Sequence, residues 1–263
     1  VGKVTVLVTG GNGYIAKSLR TALNRKYDIV AVTLNDFDMT DGDAMRKWFR
    51  GKSFAAVVHT ATVGGSRLQN ETSSVIEQNL LMHYNLLSCR DHFSRLIGFG
   101  SGAEIFAPET PYGLSKRVIA NSIKETPNWY NIRIFGVFDE NELPTRFIKA
   151  NINRYLQHQP MKIHKDKIMD FFYMKDLVSV VDKYLVDTDP PKEIDCSYSE
   201  KHSLTNIASQ INQLATHKVP VDIQEDGISF YCGQELKLDV PLVGFSQGLK
   251  NTFDAILNKG TTL

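Results

Sequence analysis

Val4-Thr5-Val6-Leu7-Val8, followed by Thr9-Gly10-Gly11-Asn12-Gly13-Tyr14-Ile15-Ala16, sets the architecture of this chain. The apolar, β-branched run bounded by glycines predicts a strand buried on both faces. A helix is expected from about Ile15 to Leu23, with Ile15, Leu19, Ala22 and Leu23 on one face. Between them lies the spacing Gly10-x-x-Gly13-x-x-Ala16. Glycines there allow a tight turn and let backbone N–H groups approach a pyrophosphate at a helix N-terminus. The third position needs only a small residue for close packing, which Ala16 supplies. Strand, spacing and helix together favour a dinucleotide held by Gly10, Asn12, Gly13, Tyr14 and Ile15 over a glycine turn with no ligand.

The same rhythm continues outward. Strands are expected at 28–34, 55–59, 95–99 and 130–135, and helices at 43–49, 75–90 and 112–124. Alternating strands and helices imply right-handed βαβ crossovers and an open parallel sheet. From about Asp139 the pattern changes. Helices are expected at 143–157, 174–185 and 203–214, the last capped by Ser203, with a charged and aromatic stretch at 162–172. The expected division is a dinucleotide-binding domain over 1–138, to which 168–195 returns, and a smaller substrate lobe from 139–167 and 196–263.

Composition narrows the class. Of 263 residues 42% are hydrophobic and 22% charged, as in globular domains rather than disordered chains. Thirty basic and twenty-nine acidic residues give a net charge of +1, so no nucleic-acid or polybasic membrane surface is indicated. Cys89, Cys196 and Cys232 are far apart and have no metal-site spacing, which fits reduced thiols. No apolar run approaches the ~20 residues that span a bilayer, and the first residues read as a strand rather than a leader. A cytoplasmic protein without metal is expected.

Pro111-Tyr112-Gly113-Leu114-Ser115-Lys116 carries the chemistry. On a helix, positions i and i+4 share one face. An ammonium there favours phenolate and lowers a tyrosine pKa from its ordinary value of about 10. Tyr112 is then fit to exchange a proton with a sugar hydroxyl or carbonyl. Alone the pair is common on amphipathic helices; behind a dinucleotide-binding turn it is a strong signal. At the end of the second strand stands Thr33, not an acid, so nothing repels a 2′-phosphate, and NADP(H) is favoured over NAD(H). Asp41 either faces the adenine or starts the next helix.

With both motifs placed, the chain resembles the extended short-chain dehydrogenase/reductase family, whose fold is a Rossmann-type doubly wound parallel sheet. Within it the likeness is to the GDP-fucose synthase-like 4-keto-sugar-nucleotide reductases. Residues carrying it include Thr9 to Ala16, Asp38-Met39-Thr40-Asp41, Thr60-Ala61-Thr62-Val63-Gly64-Gly65, Glu77-Gln78-Asn79, Gly100-Ser101-Gly102-Ala103-Glu104, Tyr112 to Lys116, Arg133-Ile134-Phe135-Gly136 and Asp170-Phe171-Phe172-Tyr173. Beyond Asp189 it is loose. The resemblance implies Tyr112 as general acid and Lys116 as the residue that tunes it and holds the nicotinamide ribose. It also implies Ala61 and Val63 along the cofactor and Asn79 as a structural or cofactor-side polar group. The family's hydroxyl beside the reacting oxygen falls on Ser101 in one alignment, while another puts Gly102 there. A homodimer through the helices at 75–90 and 112–124 is also implied.

Three departures bear on function. Positions where the resembling enzymes keep an epimerising cysteine and histidine hold Glu104 and Phe138 here; phenylalanine moves no proton. Glu104 reads as a solvated loop carboxylate, with a base as the alternative. Ser101 and Tyr112 are only eleven positions apart, a shorter connection than the family pattern, which suggests a wider cleft or one closed by another segment. An arginine for the substrate diphosphate is replaced by the Asp170-Phe171-Phe172 run, leaving Arg146 and Arg154 as candidates. The expected function is reduction of a nucleotide-activated 4-keto-6-deoxyhexose. Alternatives are a 4-epimerase with retained NAD and a non-catalytic dinucleotide-binding regulator.

Overall fold

The computed structural model describes residues 2–66 and 70–260. In chain order the elements are β1 Thr5–Thr9, α1 Tyr14–Leu23, β2 Asp28–Val32, α2 Gly42–Phe49, β3 Ala56–His59, α3 Ser74–Ser88, β4 Leu96–Ser101, α4 Ala103–Phe106, α5 Pro111–Glu125, β5 Trp129–Ile134, β6 Val137–Phe138, α6 Phe147–Leu156, β7 Met161–Met169, β8 Phe172–Tyr173, α7 Met174–Val186, β9 Glu193–Cys196, α8 Leu204–Gln213, β10 Val221–Tyr231 and α9 Phe245–Gly260. They divide into one unit of residues 1–133 and 180–194 and a second of 134–179 and 195–263.

The first unit is built on a sheet of order β2-β1-β3-β4-β5-β9. β1 pairs in parallel with β2 and β3, and β3 with β4. Leu7 and Val57 are wholly buried, as continuous apolar strands require when helices cover both faces. Met45 and Phe49 of α2, Met82 and Leu86 of α3, and Ile119 and Ile123 of α5 complete one core. Register places Thr9 opposite His59 and His59 opposite Gly98, so β4 runs three residues past that line to Ser101. Loops leaving these carboxyl ends are where such sheets bind ligands.

The second unit has its own core, with Ile148, Ile152 and Tyr155 of α6, Ile207 and Ile211 of α8, and Leu249 and Phe253 of α9. β7 and β10 form a two-stranded parallel ribbon, and β6 pairs with β8. Buried Asp170 ties distant segments together: it accepts from Ser197 Oγ (2.6 Å), Gly233 N–H (2.7 Å) and Lys201 Nζ (3.0 Å). Phe171 stacks on Phe147 and Phe172 on Tyr198, so these rings are packing residues. Among the described residues no helix is long and apolar enough to cross a membrane.

Candidate active site

β1 ends in a turn that only glycine fits. Gly10 has φ +66°, and a Cβ on it would lie 2.9 Å from the Ala61 backbone. Gly13 N–H donates to Gly10 O (2.8 Å), and Gly11 N–H to Val32 O (2.8 Å), closing the turn against β2. α1 starts at Tyr14 with Gly13 at its N-cap and no side chain capping it. Exposed Asn12 and Gly13 form the tip, Tyr14 and Ile15 are half-buried, and Ala16 is buried. The positive end of a helix dipole therefore faces out over a bare backbone turn, an arrangement suited to an anion.

The chain leaving β3 runs beside that turn. Thr60 Oγ1 donates to Thr9 O (2.6 Å), and Thr9 Oγ1 meets both His59 Nδ1 (2.8 Å) and Ala61 N–H (3.3 Å). Next, Val63 is clamped by Asn79: Oδ1 accepts Val63 N–H (2.8 Å), and Nδ2 donates to Val63 O (2.9 Å) and Ser115 Oγ (3.0 Å). Gly64 and Gly65 both have positive φ, and a Cβ on Gly65 would lie 2.9 Å from Tyr112 Cζ. Glu71 accepts Gly65 N–H with one oxygen (2.5 Å) and Tyr112 N–H with the other (3.0 Å).

α5 is a well-specified helix. Thr110 caps it by accepting Gly113 N–H (3.1 Å), and Pro111 opens its first turn. Tyr112 and Lys116 project from one face, the ammonium 5.6 Å from the ring centroid. The side chains of Ser101 and Thr62 are the hydroxyls that act on the Tyr112 phenol. Lys116 donates instead to Phe99 O (2.9 Å) on β4. The expected lowering of the tyrosine pKa is absent. Burial pushes it up to about 12, with Glu104 and Glu71 adding to the rise and the Ser101 and Thr62 hydroxyls opposing it. Burial brings Lys116 down to about 8, countered by Glu104. Buried His59 and His83, each also repelled by Lys116, fall to about 3 and about 4.

Glu104 is not a solvated loop carboxylate. It lies on α4, only 6% exposed, and pairs with Arg133 Nε at 3.0 Å. Burial raises its pKa, and Arg133, the Ser101 N–H and Lys116 pull it back. The short connection between Ser101 and Tyr112 is filled by α4, and Gly113 packs against Ala107 O so closely that no side chain would fit.

A family model described as the NAD dependent epimerase/dehydratase family matches residues 6–196. This chain belongs to that family. A sequence search among curated proteins finds no match. Among solved structures, a GDP-L-fucose synthetase from Naegleria fowleri superposes with TM-score 0.79 at 17% identity, covering 98% of this chain and 94% of that one. A GDP-mannoheptose C4 reductase from Campylobacter jejuni with NADP bound gives 0.78 at 12%, covering 96% and 98%. A UDP-glucose 4-epimerase from Thermus thermophilus in complex with NAD gives 0.75 at 21%, covering 96% and 99%. At such identities the likeness establishes the fold, an extended short-chain dehydrogenase/reductase architecture.

Within this epimerase/dehydratase-family chain, the first unit brings Tyr112, Lys116 and Ser101 together. Gly102 follows Ser101 at the N-cap of α4 and offers no hydroxyl. Asp41 is the N-cap of α2, accepting Asp43 and Ala44 N–H at 2.9 and 3.0 Å, so of its two readings the helix start is the one realised here. Arg146 and Arg154 belong to the second unit. Arg146 is exposed at the start of α6, and Arg154 donates to Pro160 O at 3.4 Å. Phe138 is fully buried against Tyr173 and Phe245. Sequence reasoning missed three groups. Thr62 lies inside a motif that gives it no role of its own, and Glu71 acts on Tyr112 from 41 positions away. The Asp36 carboxylate folds back onto Thr33 N–H (2.8 Å) and Oγ1 (3.1 Å). An acid four residues past the end of β2 is the available signal for Asp36.

Proposed function

We propose that this chain is a nicotinamide-dependent oxidoreductase of nucleotide-activated sugars that reduces a 4-keto-6-deoxyhexose without 3,5-epimerisation. The observation that carries the reading is Tyr112 with the Lys116 ammonium 5.6 Å from its ring centroid and the Ser101 and Thr62 hydroxyls acting on its phenol. The bare Gly10–Gly13 turn and uncapped α1 fit a pyrophosphate, and Ala61 and Val63 continue the track toward Tyr112. A dinucleotide bound there supplies the hydride. Tyr112, protonated at neutral pH, gives its proton to the keto oxygen as the carbonyl is reduced, while Ser101 and Thr62 orient that oxygen. Lys116, tethered to Phe99 O, places positive charge beside the tyrosine and the nicotinamide ribose. Phe138, packed away and without a proton to move, supports reduction without the histidine-dependent epimerisation.

Asp36 bears on the cofactor. The expectation of NADP(H) rested on the lack of an acid after β2, but this carboxylate sits on Thr33, whose methyl would touch a Cβ on Gly11. It would repel a 2′-phosphate and so favours NAD(H). Arg146 and Arg154 are proposed ligands of the substrate diphosphate. Exposed Leu81 and Tyr84 on α3 support a homodimer, testable by light scattering.

The test is nicotinamide absorbance with NADH or NADPH and a panel of nucleotide-linked 4-keto-6-deoxyhexoses. Wild type should consume cofactor, and Tyr112→Phe should lose about 10²-fold or more in kcat. Interconversion of 4-epimers without net consumption would replace the reading by an epimerase. Cofactor binding with silence across the panel would point to a regulator.

A further inference from the structure

Glu104 does more than fill space. Taking a carboxylate out of water is costly unless it is paired and hydrogen-bonded. Here one oxygen accepts Arg133 Nε (3.0 Å), and Arg133 Nη2 reaches on to half-exposed Glu193 (3.1 Å). The other oxygen accepts the Ser101 N–H at 2.7 Å. Ala103 N–H then donates to Ser101 Oγ (3.2 Å), fixing the hydroxyl that acts on the Tyr112 phenol. Arg133, Glu104 and Ser101 thus form one connected chain, drawn from β5, α4 and β4, and it ends on the hydroxyl that acts on Tyr112 of α5.

We propose that Glu104 is a positioning residue: it holds Ser101 against Tyr112 and keeps negative charge beside the phenol, so that Tyr112 works as a proton donor. The charges facing the phenol come from several elements. Lys116 lies on its own helix, Glu71 precedes α3, and Glu104 is backed by Arg133. His59 of β3 and His83 of α3, nearest Lys116, are neutral at physiological pH. Of the carboxylates, Glu104 opposes ionisation of Tyr112 most strongly and also supports the Lys116 ammonium. The kinetic consequence rests on Tyr112 being the proton donor of the proposed reaction; the electrostatic one does not.

Tyrosines are labelled with 13C at Cζ in the full chain, and the Tyr112 resonance is identified by its loss in Tyr112→Phe. Glu104→Gln keeps an acceptor for Ser101 N–H but removes the charge. The resonance should begin to titrate at least about half a pH unit lower than in wild type. In turnover assays Glu104→Ala should lower kcat by about 10²-fold with little change in KM. Glu104→Gln should recover much of that loss and move the alkaline limb of the pH profile downward. Should Glu104→Gln fold poorly because Arg133 loses its buried carboxylate partner, Glu104→Gln/Arg133→Met removes both charges. The phenol must still titrate early, because Glu104 rather than Arg133 acts on it. An unmoved Tyr112 resonance, or equal kcat losses for alanine and glutamine, overturns the proposal. A resonance that shifts in a protein inert toward every sugar would instead sink the assigned reaction and leave Glu104's role standing.

Discussion

Replacing Asn79 with alanine should destabilise the first unit by about 2–4 kcal/mol. Asn79 is 2% exposed, and its amide makes three well-formed hydrogen bonds, to Val63 N–H (2.8 Å), Val63 O (2.9 Å) and Ser115 Oγ (3.0 Å). Each such bond contributes about 1 kcal/mol net, and an orphaned buried group costs about 1–3 kcal/mol. Val63 is only half-buried, so water recovers part of the loss, which holds the sum near the lower range. The contact to Thr62 Oγ1 at 3.4 Å adds little. Trp48 and Trp129, the two tryptophans, both lie in this unit, so their fluorescence during urea unfolding reports on it directly. The expected result is a lower midpoint with an unchanged m-value. Because the clamp also sets the stretch that brings Thr62 to the Tyr112 hydroxyl, kcat should fall as well. A loss below about 0.5 kcal/mol, less than one ordinary hydrogen bond, would refute the claim that this amide holds the loop.

Three further outcomes can be checked. His59 and His83 stay neutral when folded but take up protons near pH 6.5 when unfolded, so stability should fall as pH drops from about 6.5 toward 4, by at most about 1.4 kcal/mol per unit for each; a flat tryptophan-detected midpoint over that range would contradict their burial. Glu142, buried in the second unit and raised to about 8 chiefly by burial, holds its proton when folded but loses it near pH 4.3 when unfolded. Protection of α6 amides, corrected for intrinsic exchange, should therefore weaken as pH rises from about 5 to 8, and Glu142→Gln should abolish that slope. Gly65→Ala combines a left-handed backbone, disfavoured by about 1–2 kcal/mol, with a Cβ 2.9 Å from Tyr112 Cζ; turnover should drop at least about tenfold while far-ultraviolet circular dichroism stays unchanged.

Much of the first unit was legible because local signals agreed with the final packing. The β1 run, the glycine turn and the Tyr112–Lys116 spacing each act within a few residues, and each element formed within two residues of expectation. Elsewhere the deciding partners are distant. Glu104 looked solvated because a glycine-flanked turn surrounds it, and its burial is made tolerable chiefly by Arg133, 29 positions on. The phenol's raised pKa likewise depends on how completely the fold covers it. α6 starts at Phe147 rather than near Leu143 because Pro144 disfavours helix in the residue before it, and Arg146 is the cap. β10 escaped because Asp222, Gln224, Glu225 and Asp226 give an exposed strand no alternation, and its bulge between Glu225 and Ile228 breaks the period. α9 and short β9 were missed where the family likeness had faded.

The Gly64–Gly65 stretch also limits how this enzyme can be altered. Glu71 binds that stretch and the first turn of α5 with its two oxygens, and the Gly65 backbone rests on the Tyr112 ring. Side chains cannot be grown there without displacing the Tyr112 ring. A mutant library seeking new sugar specificity should therefore leave positions 64, 65 and 71 fixed and spend its diversity elsewhere. Variants recovered with changes at those three positions should be predominantly inactive, whatever sugar is used for selection.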